Sequence, residues 1–559
     1  MADFSQQGAQ LQLFFTPPQH QGEHPLPALL PLRLAGAEQL GASYSFTIDA
    51  IIPRGEPVPF DRLLGAPATA RVETPGGADR HFSGIVWSVR HTGADESFDR
   101  YQLVLRPALD RLGLTRRTRV FQQVSALQVI DSILGPVGGA HHEHLGDSPT
   151  RACCVQYRET DLEFFLRLCS EEGIIHFWRH DHLKHTLVLS GDTTGTAPAL
   201  DLSVDVSLDG SQNSGPRLGS WSFGQELAPS AVEMADTHFQ LAGVSLRGRG
   251  APPDQLEAEQ RPIRFPAAPG AWEEDAMSPV RFADGVTPSG APAVAPPMVG
   301  PLEGLQARVA RKLAQGAVAG AVSAMGEGVC PQITPGLGFN MVDHRGPPRP
   351  MLATRVEHEV ELPGRYQANA ELAPAKVLTR LSAAPVALPQ APWPPRPKPN
   401  VGGVHTAVVT GPPGAEVNLD MHGRVRVRFG WDRDDGASGT WIRVAQCWAG
   451  NGYGAVFWPR VGHEVVVAFE GGDPDRPIIV GSVYNSANAP PYPMPASGYI
   501  SGFKSCTKGG SPGSNFHNIV MNDSASPPVV GIHSEGYVTT TQEKDSTRIH
   551  SSFDLTISG

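Results

Sequence analysis

Residues 461–485 read VGHEVVVAFEGGDPDRPIIVGSVYN. Two short β-branched runs flank paired glycines and an Asp-Pro-Asp triplet, residue types that each serve a turn in their own way. The stretch therefore reads as strand, corner, strand. Its rival reading is chemical, because His463–Glu464 begins like the zinc-protease pattern H-E-x-x-H, where two histidines one helical turn apart face one metal. Val467 stands where the second histidine is needed. On a β-branched strand that spacing would in any case hold the two positions about 13 Å apart, too far to share one metal, so the architectural reading prevails.

The neighbouring sequence extends the pattern. In HGRVRVRFGW at 422–431, Val425, Val427 and Phe429 alternate with Arg424, Arg426 and Arg428, a half-buried strand with a basic outer face. TWIRVAQCWAG, AVFWPRVG, HEVVVAF and RPIIVGSVYN supply four more candidates. Five short strands suit a small closed barrel of the OB type. Upstream, APVALPQAPWPPRPKPN at 384–400 holds too many prolines for a helix or a paired strand and reads as a semi-rigid extended linker.

Earlier still, YSFTIDAII at 44–52, ATARVE at 68–73, HFSGIVWSVRH at 81–91 and YQLVLRP at 101–107 read as a β meander or barrel, with TPGG at 74–77 as a turn. SALQVIDSILG at 125–135 has helical spacing and ends on glycine. Thr160 and Glu163 are spaced as a capping box ahead of Leu162, Phe165, Leu166 and Cys169, and Gly173 suits the left-handed C′ position. IIHFW and TLVLS bracket RHDHLKH, read as the polar tip of a hairpin. LEGLQARVARKLAQ at 302–315 predicts a helix, and MLATRVEHEVEL at 351–362 a strand with Val356, His358, Val360 and Leu362 on one face. RFADGVTPSGAPAVAPPMVG at 281–300 lacks periodicity and reads as a surface excursion.

Bulk properties narrow the function. Gly 61 and Pro 53 with only 18 % charged residues disfavour an all-α chain, and 559 residues imply two to four domains. A net charge of −11 opposes any partner bound mainly through phosphates. Cys153, Cys154, Cys169, Cys330, Cys447 and Cys506 lack the spacing of a disulfide framework or a four-thiolate zinc site, which fits a reducing compartment. The opening MADFSQQGAQLQLFF has no basic segment of the secretory kind, so folding in the cytoplasm is expected. LAQGAVAGAVSAMG at 313–326 is too short to span a bilayer.

Candidate sites weigh against chemistry. His141, His142, His144 and Glu143, and His176, His180, His182 and His185 near Cys153 and Cys154, offer enough ligands for zinc or nickel, but no ligand-pair spacing marks them, and a solvated loop and hairpin tip are favoured. Gly509-Gly510-Ser511-Pro512-Gly513 matches the nucleophile elbow in letters, yet Pro512 lacks the N–H that the oxyanion hole requires. Glu171–Glu172 reads as a solvated helix end rather than an acid/base pair, and His358 as a satisfied histidine on a strand face. Trp431, Trp441, Trp448 and Trp458 beside the basic strand suggest a nucleic-acid OB surface, but residues 404–486 hold nine acids against seven arginines. Core or interface packing suits those indoles better. No catalytic, cofactor-binding or metal-binding residue is assigned.

The order of FQQVSALQVIDSIL, CVQYRETDLEFFLRLCSEEGIIHFW, HTAVVTGPPGAEVNLDMHGRVRVRFGWDRDD, WIRVAQCWAGNGYGAVFWPRVGHEVVVAFEGGDPDRPIIVGSVYN and SGFKSCTKGG resembles the VgrG family, the spike of the type VI secretion system. The resemblance implies a mainly β fold with a few short helices: β-barrel hub domains like those of phage baseplates over 1–383, with a Pro/Ala-rich excursion at about 265–301 that fits the family pattern poorly. A Pro-rich linker at 384–402, an OB-fold domain at 403–490 and, at 491–559, a neck and the start of a trimeric intertwined β-helix complete it. A polar tail such as GYVTTTQEKDSTRIHSSFDLTISG cannot bury a core alone but can when three copies wind together. The resemblance further implies a non-enzymatic homotrimer, without cofactor or nucleic acid, that sits on the Hcp hexamer tube among baseplate components. It would carry a PAAR-repeat tip, effectors or adaptors, assemble in the cytoplasm, and cross a target membrane mechanically when secreted. The rival readings are a related contractile injection particle or phage spike, and a spike with an effector enzyme beyond residue 559.

Overall fold

The strand Arg349–Glu361 organises the first part of the chain. Thirteen residues of alternating burial give it a length of about 43 Å, enough to serve two sheets in succession. In the computed structural model, the described residues are 6, 9–15, 29–74, 79–196, 202–207, 215–251, 255–256, 263–264, 271–273, 299–343, 347–363, 366, 374–432 and 439–539. They divide into two compact units: residues 1–404 with 430–440 and 468–478, and residues 405–429, 441–467 and 479–559.

In the first unit, one end of this long strand pairs with Leu30–Gln39, from which the sheet continues through Ser45–Pro53, Phe98–Arg106, Arg80–Ala94, Pro67–Val72 and Leu11–Phe15. The 28–107 region is thus not a plain meander, because Phe98–Arg106 returns to pair with Ser45–Pro53. Elsewhere the long strand closes a six-stranded ring with Lys376–Pro385, Val322–Val329, Arg217–Gln225, Ser203–Val206 and Gly338–Asp343. Val356 enters the core of the ring with Leu218, Phe339 and Leu381, while Val360 and Leu362 join the core of the N-terminal sheet with Phe46, Phe82 and Leu105. His358 lies between them, buried, with Nδ1 against Thr379 Oγ1 at 3.3 Å and Nε2 against the Ile333 carbonyl at 3.1 Å.

The helices α1 (Ala126–Leu134) and α2 (Asp161–Glu172) pack into the core of the N-terminal sheet, and α3 (Val299–Ala319) packs mainly on a separate small sheet built on Val232–Asp236 and Leu246–Gly250. The expected capping box forms at Thr160 and Glu163, and a second forms at Ser125 and Gln128. Gly173 ends α2 at φ 67°, with the Ile174 N–H returning to the Cys169 carbonyl, a Schellman ending.

The proline-rich stretch differs from a bare spacer. It runs outside any sheet, as its prolines dictate, but Leu388, Ala391 and Val401 are buried and the Gln390 N–H donates to Thr193 Oγ1. Extended prolines pack cheaply because little backbone freedom is lost on fixing them.

The second unit is built on a closed five-stranded barrel, in the order His405–Thr410, Val425–Phe429, Thr440–Val444, Pro477–Val483, Glu464–Phe469. Ala407, Val409, Val425, Val427, Phe429, Ile442, Val465, Val467 and Ile479 fill its interior. The strand count is as expected but its membership is not: AVFWPRVG forms no strand, and HTAVVT takes its place. Pro459 cannot donate to a ladder, and the Phe457 N–H is taken by Gln446 Oε1 at 2.9 Å. Beyond the barrel, Ile500–Lys504, Asn518–Asn522 and Val529–His533 make a three-stranded antiparallel sheet. The TPGG turn, residues 281–298 of the excursion and residues 540–559 of the tail fall largely or wholly outside the described residues. Among the described residues no helix is long and apolar enough to cross a membrane.

Candidate functional site

Two features depart from an ordinary folded chain: a buried ion network in the first unit and an uncovered apolar sheet face in the second. The network begins on α2. Its Arg167 forks onto Glu159, Nε to Oε1 at 2.9 Å and a terminal nitrogen to Oε2 at 2.8 Å, and donates to Glu171 at 2.7 Å. Arg151, from the strand Thr150–Thr160, bridges Glu171 at 2.5 Å and Glu172 at 2.7 Å. Both arginines are almost fully buried, so each depends on these carboxylates for its solvation.

The Asp-Pro-Asp corner joins the same network. Lys398 Nζ donates to Asp475 Oδ2 at 2.7 Å and lies 3.4 Å from Asp473. The Val155 N–H donates to Asp475 Oδ1 at 2.7 Å, while the Val155 carbonyl accepts from Arg167 at 2.9 Å. The backbone of one residue, Val155, thereby joins Asp475 to Arg167. Burial opposes the charge on Lys398, but Asp475, Glu171 and Asp473 outweigh it and hold the ammonium above its ordinary range. Burial likewise opposes ionisation of Glu171, and Arg151 and Arg167 overcome it, keeping that carboxyl well below its usual range. Asp475 is pushed upward by burial and by Asp473, against the pull of Lys398.

This corrects the reading of Glu171–Glu172 as a solvated helix end: Glu171 is buried because Arg151 arrives from a strand twenty residues earlier in the chain. The corner residues are indeed a turn between strands, but their carboxylates face inward rather than to water.

The histidines are dispersed. His463 Nδ1 accepts the Arg460 N–H at 3.3 Å, and Glu464 accepts from Asn485 at 2.7 Å, at the start of a strand. His141 pairs with Glu143 and His142 with Asp131. His176 and His180 are not solvated at a hairpin tip: His176 is buried on the edge of Phe165, and His180 reaches the buried Glu38, itself paired with Arg80. The turn is confined to His182 and Leu183, which pulls the remaining ring positions into the core. Burial and Arg396 push His176 down to about 4, burial and His180 do the same to His185, and burial and Arg80 to His358. Among the described residues no group of three or more His, Cys, Asp or Glu could hold a metal ion. Ser511 lies in an exposed loop, where its hydroxyl accepts the Gly513 N–H. Of the four tryptophans, Trp441 stacks on Arg426 at 4.6 Å, Trp431 lies edge-on to Tyr157, and Trp448 is exposed against Tyr453.

The second feature lies on the terminal three-stranded sheet. Register places Phe503, Ile519 and Ile532 in one cross-strand row and Met521 beside Val530 in the next. All five are exposed, Val530 to 75 % and Ile532 to 66 %. A three-stranded sheet with one apolar face in water lacks the burial that would hold it. The only ring stacked on this face among the described residues is Phe457, 5.3 Å from Phe503.

The model of the phage tail baseplate hub (GPD) family matches residues 37–364, and that of the type VI secretion system/phage-baseplate injector OB domain matches residues 415–484. Two Pseudomonas aeruginosa proteins, the type VI secretion system spike proteins VgrG1b and VgrG1a, are each 33 % identical over 90 % and 91 % of this chain. The chain spans 65 % of the first and 75 % of the second. It spans 37 % of the Vibrio cholerae actin cross-linking toxin VgrG1, at 29 % identity. Among solved structures, an Escherichia coli type VI secretion component, described as similar to the T4 phage tail proteins gp27 and gp5, superposes with a TM-score of 0.52 at 17 % identity, covering 84 % of this chain and all of its own. The Francisella PdpA–VgrG complex gives 0.55 at 7 % identity over 94 % of this chain and 88 % of its own.

Proposed function

The chain belongs to the VgrG family of type VI secretion spike proteins, and from that membership we propose that it is a non-enzymatic homotrimeric puncturing spike, with a hub over 1–383, a strap at 384–402, an OB domain over 403–490 and a neck and β-helix from 491. The observation that carries this reading is the uncovered row of Phe503, Ile519 and Ile532 with Met521 and Val530. Three copies related by a threefold axis would bury that face against one another, each supplying one wall of a common interior. The barrel and the strap then serve stiffness and docking. The hub sits on the Hcp tube among baseplate components, a PAAR-repeat protein and effectors ride at the far end, and the spike leaves the cytoplasm by injection. That a fold relative was solved in complex with PdpA supports the carriage of a second protein.

The test is complementation. In a producing cell lacking its own spike, the wild-type chain is expected to restore Hcp release to the medium, and Ile519→Asp/Val530→Asp is expected to abolish it while the hub still folds. Release undiminished by the double variant would sink the proposal.

A further inference from the structure

A groove of about 900 Å³ in the first unit is lined by Thr115, Arg116, Arg117, Thr118, Arg119 and Arg158, with Gly430 and Trp431. Four guanidinium groups on eight lining residues are unusual in a chain whose net charge is −11. Like charges brought together in a concave wall raise the local potential and cost stability unless something answers them.

The backbone is shaped to hold them there. The strands Arg116–Ser125 and Thr150–Thr160 pair in register from Arg117 against Glu159, then slip so that Arg119 faces Gln156. At this bulge Arg158 takes φ 51°, a left-handed conformation that costs a non-glycine residue on the order of 1 kcal/mol. It is retained by two bonds, the Arg158 N–H to Thr118 Oγ1 at 3.1 Å and Arg116 Nε to the Arg158 carbonyl at 2.7 Å. The bulge lays the Arg158 guanidinium over the Tyr157 ring at 5.3 Å, beside Arg116.

Among the described residues, the carboxylates carried by these paired strands and the helix that follows are already committed. Asp161 serves Arg119 at 2.9 Å, Arg117 at 3.4 Å and Gln156 at 2.9 Å. Glu163 is held at the helix cap by the Thr160 N–H at 2.8 Å, with its carboxyl lowered by that bond first and by Arg116 among the lesser causes. Glu159 is engaged by Arg167. No carboxylate bridge to Arg116 or Arg158 occurs among the described residues, and both are exposed.

We propose that this groove is a docking site for an extended, carboxylate-rich segment of another polypeptide, seated by Arg116 and Arg158 and flanked by Arg117 and Arg119. Planar guanidinium forks match carboxylates two bonds at a time, which suits a peptide bearing Asp or Glu at successive exposed positions. A nucleic-acid strand fits less well, because four arginines release few counterions and the acidic chain repels the rest of a polyphosphate. The proposal lies outside the spike reading and stands or falls separately from it.

The experiment uses residues 1–559 and a fluorescein-labelled octaglutamate peptide, followed by anisotropy at low and physiological salt. Wild-type protein is expected to bind, and more weakly at the higher salt. Arg116→Glu/Arg158→Glu is expected to weaken binding by about tenfold or more. Arg90→Glu/Lys184→Glu, an equal charge change at exposed positions elsewhere on the unit, is expected to leave binding nearly unchanged. Arg116→Gln/Arg158→Gln, without the added repulsion, is expected to fall between. The proposal is overturned if wild-type protein does not bind the peptide, if the remote pair weakens binding as much as the groove pair, or if an eight-nucleotide oligothymidylate displaces the peptide at equal or lower concentration.

Discussion

Replacing Lys398 by methionine isolates the contribution of the buried network. Methionine matches the length and volume of the lysine stem, so packing around it is largely kept. What is lost is the only ammonium within reach of Asp475 and Asp473 among the described residues, at 2.7 and 3.4 Å. Both carboxylates remain buried, and stripping one partner from a buried pair costs about 3–5 kcal/mol. The first unit spans about 400 residues, and at about 2.1 cal/mol/K per residue its unfolding entropy is about 0.9 kcal/mol/K. Lys398→Met should therefore lower the midpoint of its calorimetric transition by about 3–6 °C. Adding Asp473→Asn and Asp475→Asn removes the stranded charge and should recover about half of the loss. A midpoint within 1 °C of wild type, or a triple variant less stable than the single, would refute the reasoning.

Acid should act through the buried histidines. His176, His185 and His358 are each held near 4 in the fold, below the ordinary 6.5, so the native state binds fewer protons than the unfolded chain between those values. Their contribution is complete above about pH 6.5 and is lost as the pH falls toward 4, on the order of 3 kcal/mol each. Thermal melts should thus fall steeply from pH 7 to pH 4.5, and equal midpoints at both would contradict the assignment. Glu38, held at about 2 against the penalty of burial by Arg80 and His180, adds a second loss as the pH falls from its ordinary 4.5 toward 2. At Gly173, φ is 67° and an added Cβ would lie 2.8 Å from Lys312 Cβ. Gly173→Ala should cost about 1–2 kcal/mol, read as a lowered urea midpoint with unchanged slope.

Much of the fold is written in local pattern. The capping box at Thr160, the glycine at 173 and the alternation of Val425, Val427 and Phe429 each decide their structure within a few residues, and each forms as read. AVFWPRVG misleads because its apolar content outweighs Pro459, whereas HTAVVT, a short run closed by GPPG at 411–414, is not among the five expected strands. The ion network was invisible for a different reason. Arg151, Glu171, Lys398 and Asp475 come from four separate stretches, and no spacing rule connects residues 155 and 475. One clue did exist: Asp473 and Asp475 sit two apart on a corner, and Lys398 is the lone lysine of the proline strap. The arginine groove was equally hidden, because the slip that turns Arg158 beside Arg116 is a property of two paired strands. The exposed face at Ile519 and Ile532 was anticipated only as a polar tail short of apolar anchors, and register was needed to show that the few anchors share one side.

The decisive measurement is the solution mass of residues 1–559 by light scattering across a hundredfold dilution. A braided terminal sheet predicts a particle of three chains of 59.6 kDa, about 179 kDa, stable throughout, and reduced to single chains by Ile519→Asp/Val530→Asp. A monodisperse particle of one chain, with Phe503, Ile519 and Ile532 left in water, would contradict it.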